Sequence, residues 1–238
     1  MAETIYSHEE LLLMLDSLLK EQSTFNWDSF YSDREKEVPF FIDAPDESLV
    51  QYFNDGLLPH GGTVLDLGCG PGRNAIYFAK QGYAVDAVDL SKEALQWAEE
   101  RAKEQSVTVQ FILENIFKLE IQQSKYDIVY DSGCFHYIAP HRRMDYIELL
   151  KRALKPGGYF GITCFAENGH LGGSDMTDWE VYRQRSLRGG LGYTHEKLTA
   201  IFKDFQVVES RRMLDVEQSS SRFGTSGLWT ALFQKKER

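Results

Sequence analysis

The run Val64-Leu-Asp-Leu-Gly-Cys-Gly-Pro-Gly-Arg-Asn74, followed by Asp89 at the end of the next apolar stretch, constrains the fold more than any other part of the chain. Val64 to Leu67 reads as a buried strand, and the residues after the glycines as the start of a helix. Gly68 and Gly70 have no Cβ, so the backbone can turn tightly there and lie close to a ligand. The following helix directs the positive end of its dipole at the same spot. Asp89 stands where a carboxylate can accept hydrogen bonds from both hydroxyls of a ribose. The whole pattern predicts a nucleoside site at the mouth of a parallel sheet.

The rest of the chain supports that architecture. The periodicity predicts an amphipathic helix over residues 8–20, with Leu11, Leu15 and Leu18 on one face. Residues 21–47 read as irregular and rich in aromatics. A helix near 46–56 leads into strand 63–68, helix 73–81, strand 84–89, helix 91–104, strands 107–113 and 126–131, helix 141–154 and strand 158–165. Such alternation predicts an α/β fold with a doubly wound, mostly parallel sheet. Residues 166–193 break the rhythm, with six glycines around Trp179-Glu-Val-Tyr182, and read as an inserted lid or substrate loop. A helix at 194–203 and strands at 205–214 and 226–234 complete a seven-stranded sheet. The chain thus divides into an N-terminal helical cap (1–60), a ligand-binding core (61–165), the insertion (166–193) and a C-terminal helix and hairpin (194–238), all in a single domain.

The nucleoside is not a dinucleotide. That fingerprint, Gly-x-Gly-x-x-Gly, would need its third glycine at Arg73; the chain has Gly72 instead, and Pro71 removes an N–H from the turn. A P-loop is excluded, because no Gly-Lys-Ser/Thr follows. The pattern closely resembles the first motif of class I S-adenosylmethionine-dependent methyltransferases. The resemblance extends to Asn115-Ile116, to Tyr126-Asp-Ile-Val-Tyr-Asp131 and to Leu154-Lys-Pro-Gly-Gly158, in the family's order. It implies a Rossmann-like sheet whose C-terminal hairpin contributes one antiparallel strand, and S-adenosylmethionine as cofactor. It further implies that Asp66, Gly68 and Gly70 meet the amino-acid part of the cofactor, and that Asp89, with Leu90 beside it, holds the ribose. Asn115 and Ile116 would contact adenine, and Asp131 would complete the set. The family usually has Asp where this chain has Asn115, whose amide oxygen can still accept from the adenine amino group.

Composition bears on the acceptor. A net charge of −10 and a pI of about 5.1 argue against a surface that tracks phosphates. Gly133-Cys134 is not the Pro-Cys of a cytosine C5-methyltransferase. Asp131-Ser-Gly-Cys-Phe135 lacks the Pro-Pro of the amino-methyltransferases of bases. Nucleic acid is therefore not expected as a partner, and Cys134 reads as a packed small residue. No Cys-x-x-Cys or His-x-x-x-His pair suggests a metal. Three cysteines, no cleavable leader and no apolar run of about 18 residues predict a cytoplasmic protein with no membrane association.

Gly133-Cys-Phe-His-Tyr137, the Phe25–Tyr31 aromatics and Pro39-Phe-Phe41 also resemble the thiopurine and tellurite-resistance-type small-molecule methyltransferases. This implies a small-molecule acceptor, with a thiol or other soft nucleophile favoured. A sulfonium methyl is already activated, so aligning the acceptor is the main task. A hydroxyl or amine would need a base, for which His136 and Asp131 are the candidates. His136 can equally orient a loop. Trp27 and Tyr31 can cover the cofactor, line the acceptor pocket, or pack as an apron on the sheet edge. The alternatives are methylation of a protein side chain, with 166–193 as docking surface, and a non-catalytic cofactor-binding regulator. The sequence leaves the acceptor and the oligomeric state open.

Overall fold

The computed structural model describes residues 4–20, 25–217 and 220–237. Its helices are α1 (His8–Lys20), α2 (Trp27–Tyr31), α3 (Glu47–Asn54), α4 (Arg73–Lys80), α5 (Lys92–Glu104), α6 (Arg143–Ala153), α7 (Asp178–Gln184) and α8 (His195–Ile201). Its strands are β1 (Gly62–Leu67), β2 (Tyr83–Asp89), β3 (Gln110–Leu113), β4 (Tyr126–Ser132), β5 (Leu154–Phe165), β6 (Phe205–Arg212) and β7 (Leu228–Lys235). They form one seven-stranded sheet in the order β3-β2-β1-β4-β5-β7-β6. Five strands pair in parallel from β3 to β5, and β7 runs antiparallel between β5 and β6. This is the doubly wound sheet with one antiparallel strand that the resemblance implies.

Alternation along the strands sends side chains into two cores. Val64, Ile128, Tyr130 and Leu232 pack with Leu49 and Tyr52 of α3 and with Ala75 and Phe78 of α4. Leu65, Leu67, Val129, Phe160 and Phe233 pack on the other face with Tyr146 and Leu150 of α6 and with Leu198 of α8. The strand order reverses between β1 and β4, which opens a crevice outside the carboxyl ends of β1, β2 and β4.

Some expectations shift. On α1 the buried face carries Leu12, with Leu19 against the core, while Leu11 is exposed. Helix α6 starts at Arg143 because Pro140–Arg142 forms a tighter 3-10 turn first. The irregular 21–47 stretch contains α2, capped by the Asn26 side chain on the Ser29 N–H at 2.9 Å; residues 21–24 lie outside the described residues.

The insertion is a packed substructure. Helix α7 begins with a capping box between Thr177 and Glu180. Met176, Val181, Leu191 and Tyr193 enter the main core, whereas Trp179, expected at its centre, is 76% exposed. Several of its glycines allow close approach. A Cβ at Gly173 would stand 2.3 Å from the Ala166 carbonyl oxygen, and one at Gly192 would stand 2.5 Å from the Glu167 Cα.

Candidate functional site

The crevice is built from the ends of β1, β2 and β4. Gly68, Gly70 and Gly72 all have positive φ, of 66°, 52° and 78°, which L-residues with side chains rarely adopt. A Cβ on Gly68 would lie 2.6 Å from the Cβ of Cys134, so glycine here lets the turn after β4 close against the turn after β1. A Cβ on Gly72 would lie 2.9 Å from the Cβ of Ala98, which accounts for the glycine one position ahead of the dinucleotide pattern: it seats α4 against α5.

Asp89 ties the glycine turn to β2. Its Oδ2 accepts from the Gly70 N–H and its Oδ1 from the Ser91 N–H, each at 2.8 Å. Burial pushes its carboxyl up, and those backbone donors partly offset the rise. Leu90, next in sequence, is 56% exposed beside it. Asn115 and Ile116 follow β3, with Ile116 buried. The Asn115 amide oxygen, expected to meet an adenine amino group, already accepts from the Phe117 N–H at 2.9 Å, so only its second lone pair remains for a ligand.

Asp66 is buried, and its Oδ2 makes no hydrogen bond. Burial, then repulsion from Asp131, pushes its carboxyl up to about 8. Asp46 and Asp89 add to that repulsion, and Arg73 opposes it. Arg73 was not singled out from the sequence. It lies at the N-terminus of α4, almost buried, with Nη1 2.6 Å from Asp46 Oδ1 and Nη2 donating to Ser132 Oγ at 2.9 Å. The pocket is thus acidic, and the Arg73 cation beside it is already paired. That suits a ligand bringing its own positive charge, such as an ammonium next to a sulfonium.

The two candidate bases are held by structural bonds. Asp131 Oδ1 accepts from the N–H groups of Cys134 and Phe135 at 2.9 and 3.2 Å, and Oδ2 from the Tyr146 hydroxyl at 2.7 Å. Burial raises its carboxyl to about 6 despite these donors. His136 lies in a 3-10 turn (Phe135–Tyr137), stacked on Phe165 with ring centroids 3.7 Å apart. Its Nδ1 accepts from the Phe165 N–H at 3.2 Å, and burial pushes it down to about 3. The ring is therefore the neutral tautomer with hydrogen on Nε2, and no lone pair is left to take a proton.

Aromatics close the open side. In α2, Tyr31 is buried and its hydroxyl lies 3.0 Å from where a Gly70 Cβ would be. Half-buried Trp27 packs edge-on to Tyr137, with centroids 5.1 Å apart. Asp28 of the same helix accepts from the Ser91 hydroxyl at 2.7 Å, docking α2 over the end of β2. The connection between β6 and β7 supplies a third wall, which the sequence did not suggest. Phe223 and Met213 pack with Phe165 and with Phe40, Tyr137 and Leu171, and Phe223 lies 4.5 Å from the Arg73 guanidinium. Among the described residues no cluster of three or more His, Cys, Asp or Glu could hold a metal ion, and no helix is long and apolar enough to cross a membrane.

Residues 64–158 match a methyltransferase domain family. An uncharacterized methyltransferase of Schizosaccharomyces pombe is 39% identical over 125 residues, 52% of this chain and 84% of that protein. A probable S-adenosyl-L-methionine-dependent methyltransferase, TehB of Haemophilus influenzae, is 30% identical over 166 residues, 63% of this chain and 57% of its own. Among solved structures, the Burkholderia thailandensis 1,6-didemethyltoxoflavin-N1-methyltransferase, with 1,6-didemethyltoxoflavin and S-adenosylhomocysteine bound, shares the fold. Its TM-score is 0.58 at 22% identity, covering 100% of this chain and 93% of that one. The unbonded Asp66 oxygen, in an acidic crevice at the carboxyl ends of the strands, fits the ammonium of the cofactor named for the Haemophilus protein. With its sheet order and glycine turn, the chain belongs to the S-adenosylmethionine-dependent methyltransferases.

Proposed function

We propose that this methyltransferase acts on a small acceptor with a flat or apolar body, through a soft atom such as a thiol sulfur. When bound, S-adenosylmethionine supplies a methyl group on a sulfonium that leaves as a neutral thioether. The chain's own residues bind and orient. In this reading Asp66, Gly68 and Gly70 hold the amino-acid part of the cofactor, with the Asp66 Oδ2 taking its ammonium. Asp89 and Leu90 meet the ribose, and Asn115 and Ile116 the adenine. Asp131 keeps the turn after β4 in shape through its three donors. Trp27 and Tyr31 roof the site, and Tyr137, Phe165 and Phe223 shield the methyl from water.

One observation carries the choice of acceptor atom: the single acceptor nitrogen of His136 is taken by the Phe165 N–H, and buried Asp131 already accepts from three donors of the chain itself. An acceptor that is already nucleophilic needs only alignment. The aromatic walls suit a flat ring, and the Burkholderia relative is named for a heterocycle. Residues 25–41 and 166–193 would border this acceptor side.

The test is a panel of aryl and alkyl thiols, phenols, amines, metalloid anions and a histone peptide, scored by S-adenosylhomocysteine formation. Turnover is expected with thiols, rising with pH as the thiol ionises, near 8.5 for an ordinary one. Turnover confined to phenols, amines or the peptide would overturn the reading.

A further inference from the structure

Helix α1 has a carboxylate in the middle of its docking face. Leu12 is buried and Leu19 packs against the core. Asp16, four residues after one and three before the other, lies on the same face. The Asp16 side chain is partly exposed, and on the core side it meets hydrogen-bonding partners rather than apolar surface. Those partners follow the Phe135–Tyr137 turn. Asp16 Oδ1 lies 2.9 Å from His141 Nε2, and Oδ2 accepts from Arg142 Nη2 at 2.7 Å and Nε at 3.2 Å. Arg142 lies 5.7 Å from the Phe117 ring, next to the adenine side of the crevice.

The other face of the same imidazole is taken by the insertion. His141 Nδ1 lies 2.8 Å from the Tyr182 hydroxyl of α7, and the His141 backbone N–H donates to that hydroxyl at 2.9 Å. With the backbone N–H already donating to the Tyr182 oxygen, its O–H is available to donate to Nδ1. A neutral imidazole carries one hydrogen. If Nδ1 accepts from Tyr182, then Nε2 must carry the hydrogen and donate to Asp16. The two contacts select one tautomer together.

We infer that Asp16, His141 and Tyr182 form a latch that docks α1 and the insertion on the core as one unit, so that these two coverings open and close together. The consequence for acceptor access rests on the proposed function; the latch itself does not, and its test needs no acceptor. Hydrogen exchange is followed in the full-length protein for Asp16→Asn, Tyr182→Phe and the unaltered chain. Each substitution is expected to speed exchange by about tenfold in both 8–20 and 178–184 while leaving 62–89 unchanged, the scale for losing one hydrogen bond to a charged or buried partner. Loosening of 178–184 alone in Tyr182→Phe, or of 8–20 alone in Asp16→Asn, would overturn it. Nitrogen NMR of the unaltered protein gives an independent reading: hydrogen on His141 Nε2 is expected, and hydrogen on Nδ1 would refute the latch.

Discussion

Asp66 combines an unbonded oxygen with burial and acidic neighbours, which together push its carboxyl up to about 8. A folded-state value above the ordinary 3.8 means the fold favours the protonated acid. That contribution is complete below pH 3.8 and is lost as pH rises through about 8. Asp66→Asn cannot ionise in either state. It is expected to raise the unfolding free energy of the ligand-free protein by about 1–3 kcal/mol at pH 7, since each pK unit between the states is worth about 1.4 kcal/mol and burial terms are discounted. The same change should weaken S-adenosylhomocysteine binding, because the ammonium loses its anion. Denaturant melts and calorimetry read the two effects. Affinity left intact would remove Asp66 from the cofactor site. Asp89→Ala should weaken binding by about 1.5–3 kcal/mol, the scale for hydrogen bonds to a charged group; wild-type affinity would mean that Asp89 does not hold the ribose. Asp66 and Asp89 stood out in the sequence by position. Arg73 did not, because its importance comes from Asp46 and Ser132, 27 and 59 residues away.

Elements with a long, clear period were legible. The helices at 8–20 and 91–104 and the strands at 62–67 and 83–89 lie within a residue or two of their expected ends, because continuous apolar strands and amphipathic helices carry their own signal. Short elements were missed. Helix α2 has five residues, too few for a period, and its visible sign is the Asn26 cap. Helix α7 had a readable start in Thr177-Asp-Trp-Glu180, a capping-box pattern that the surrounding glycines obscured. The turn between β1 and α4 rests on glycine for two separable reasons: φ of 66° at Gly68, and the Cys134 Cβ 2.6 Å from where a side chain would begin. Gly68→Ala is therefore expected to destabilise the fold by about 1–3 kcal/mol, the cost of a strained backbone position, and to weaken cofactor binding as well. Thermal melts with and without S-adenosylhomocysteine check both; a neutral outcome would mean the two turns are not in contact.

At the scale of the molecule, the formal charge of −10 opposes association with a polyanion. Oligonucleotides are expected neither to bind at 0.15 M salt nor to accept methyl groups; salt-sensitive binding with methyl incorporation would contradict this. The local order of strand, glycine turn, helix and acid pointed to a parallel sheet with a nucleoside crevice at its mouth, and the resemblance of those motifs to a known family named the cofactor. Each strand, turn and helix carries its own local signal, and the handedness of the crossovers leaves few ways to join them into a sheet. The proposed acceptor side depends on meetings across the whole chain. Trp27 reaches Tyr137, Phe223 covers Arg73, and Asp16 reaches His141. No periodicity encodes such encounters. The hydrogen bonding of His136 is decided the same way. As a sequence letter it fits a base or a loop anchor equally. In the fold the Phe165 N–H occupies its one acceptor nitrogen and burial keeps it neutral. Whether a polar atom is free is a property of its neighbours, and only the tertiary structure supplies those.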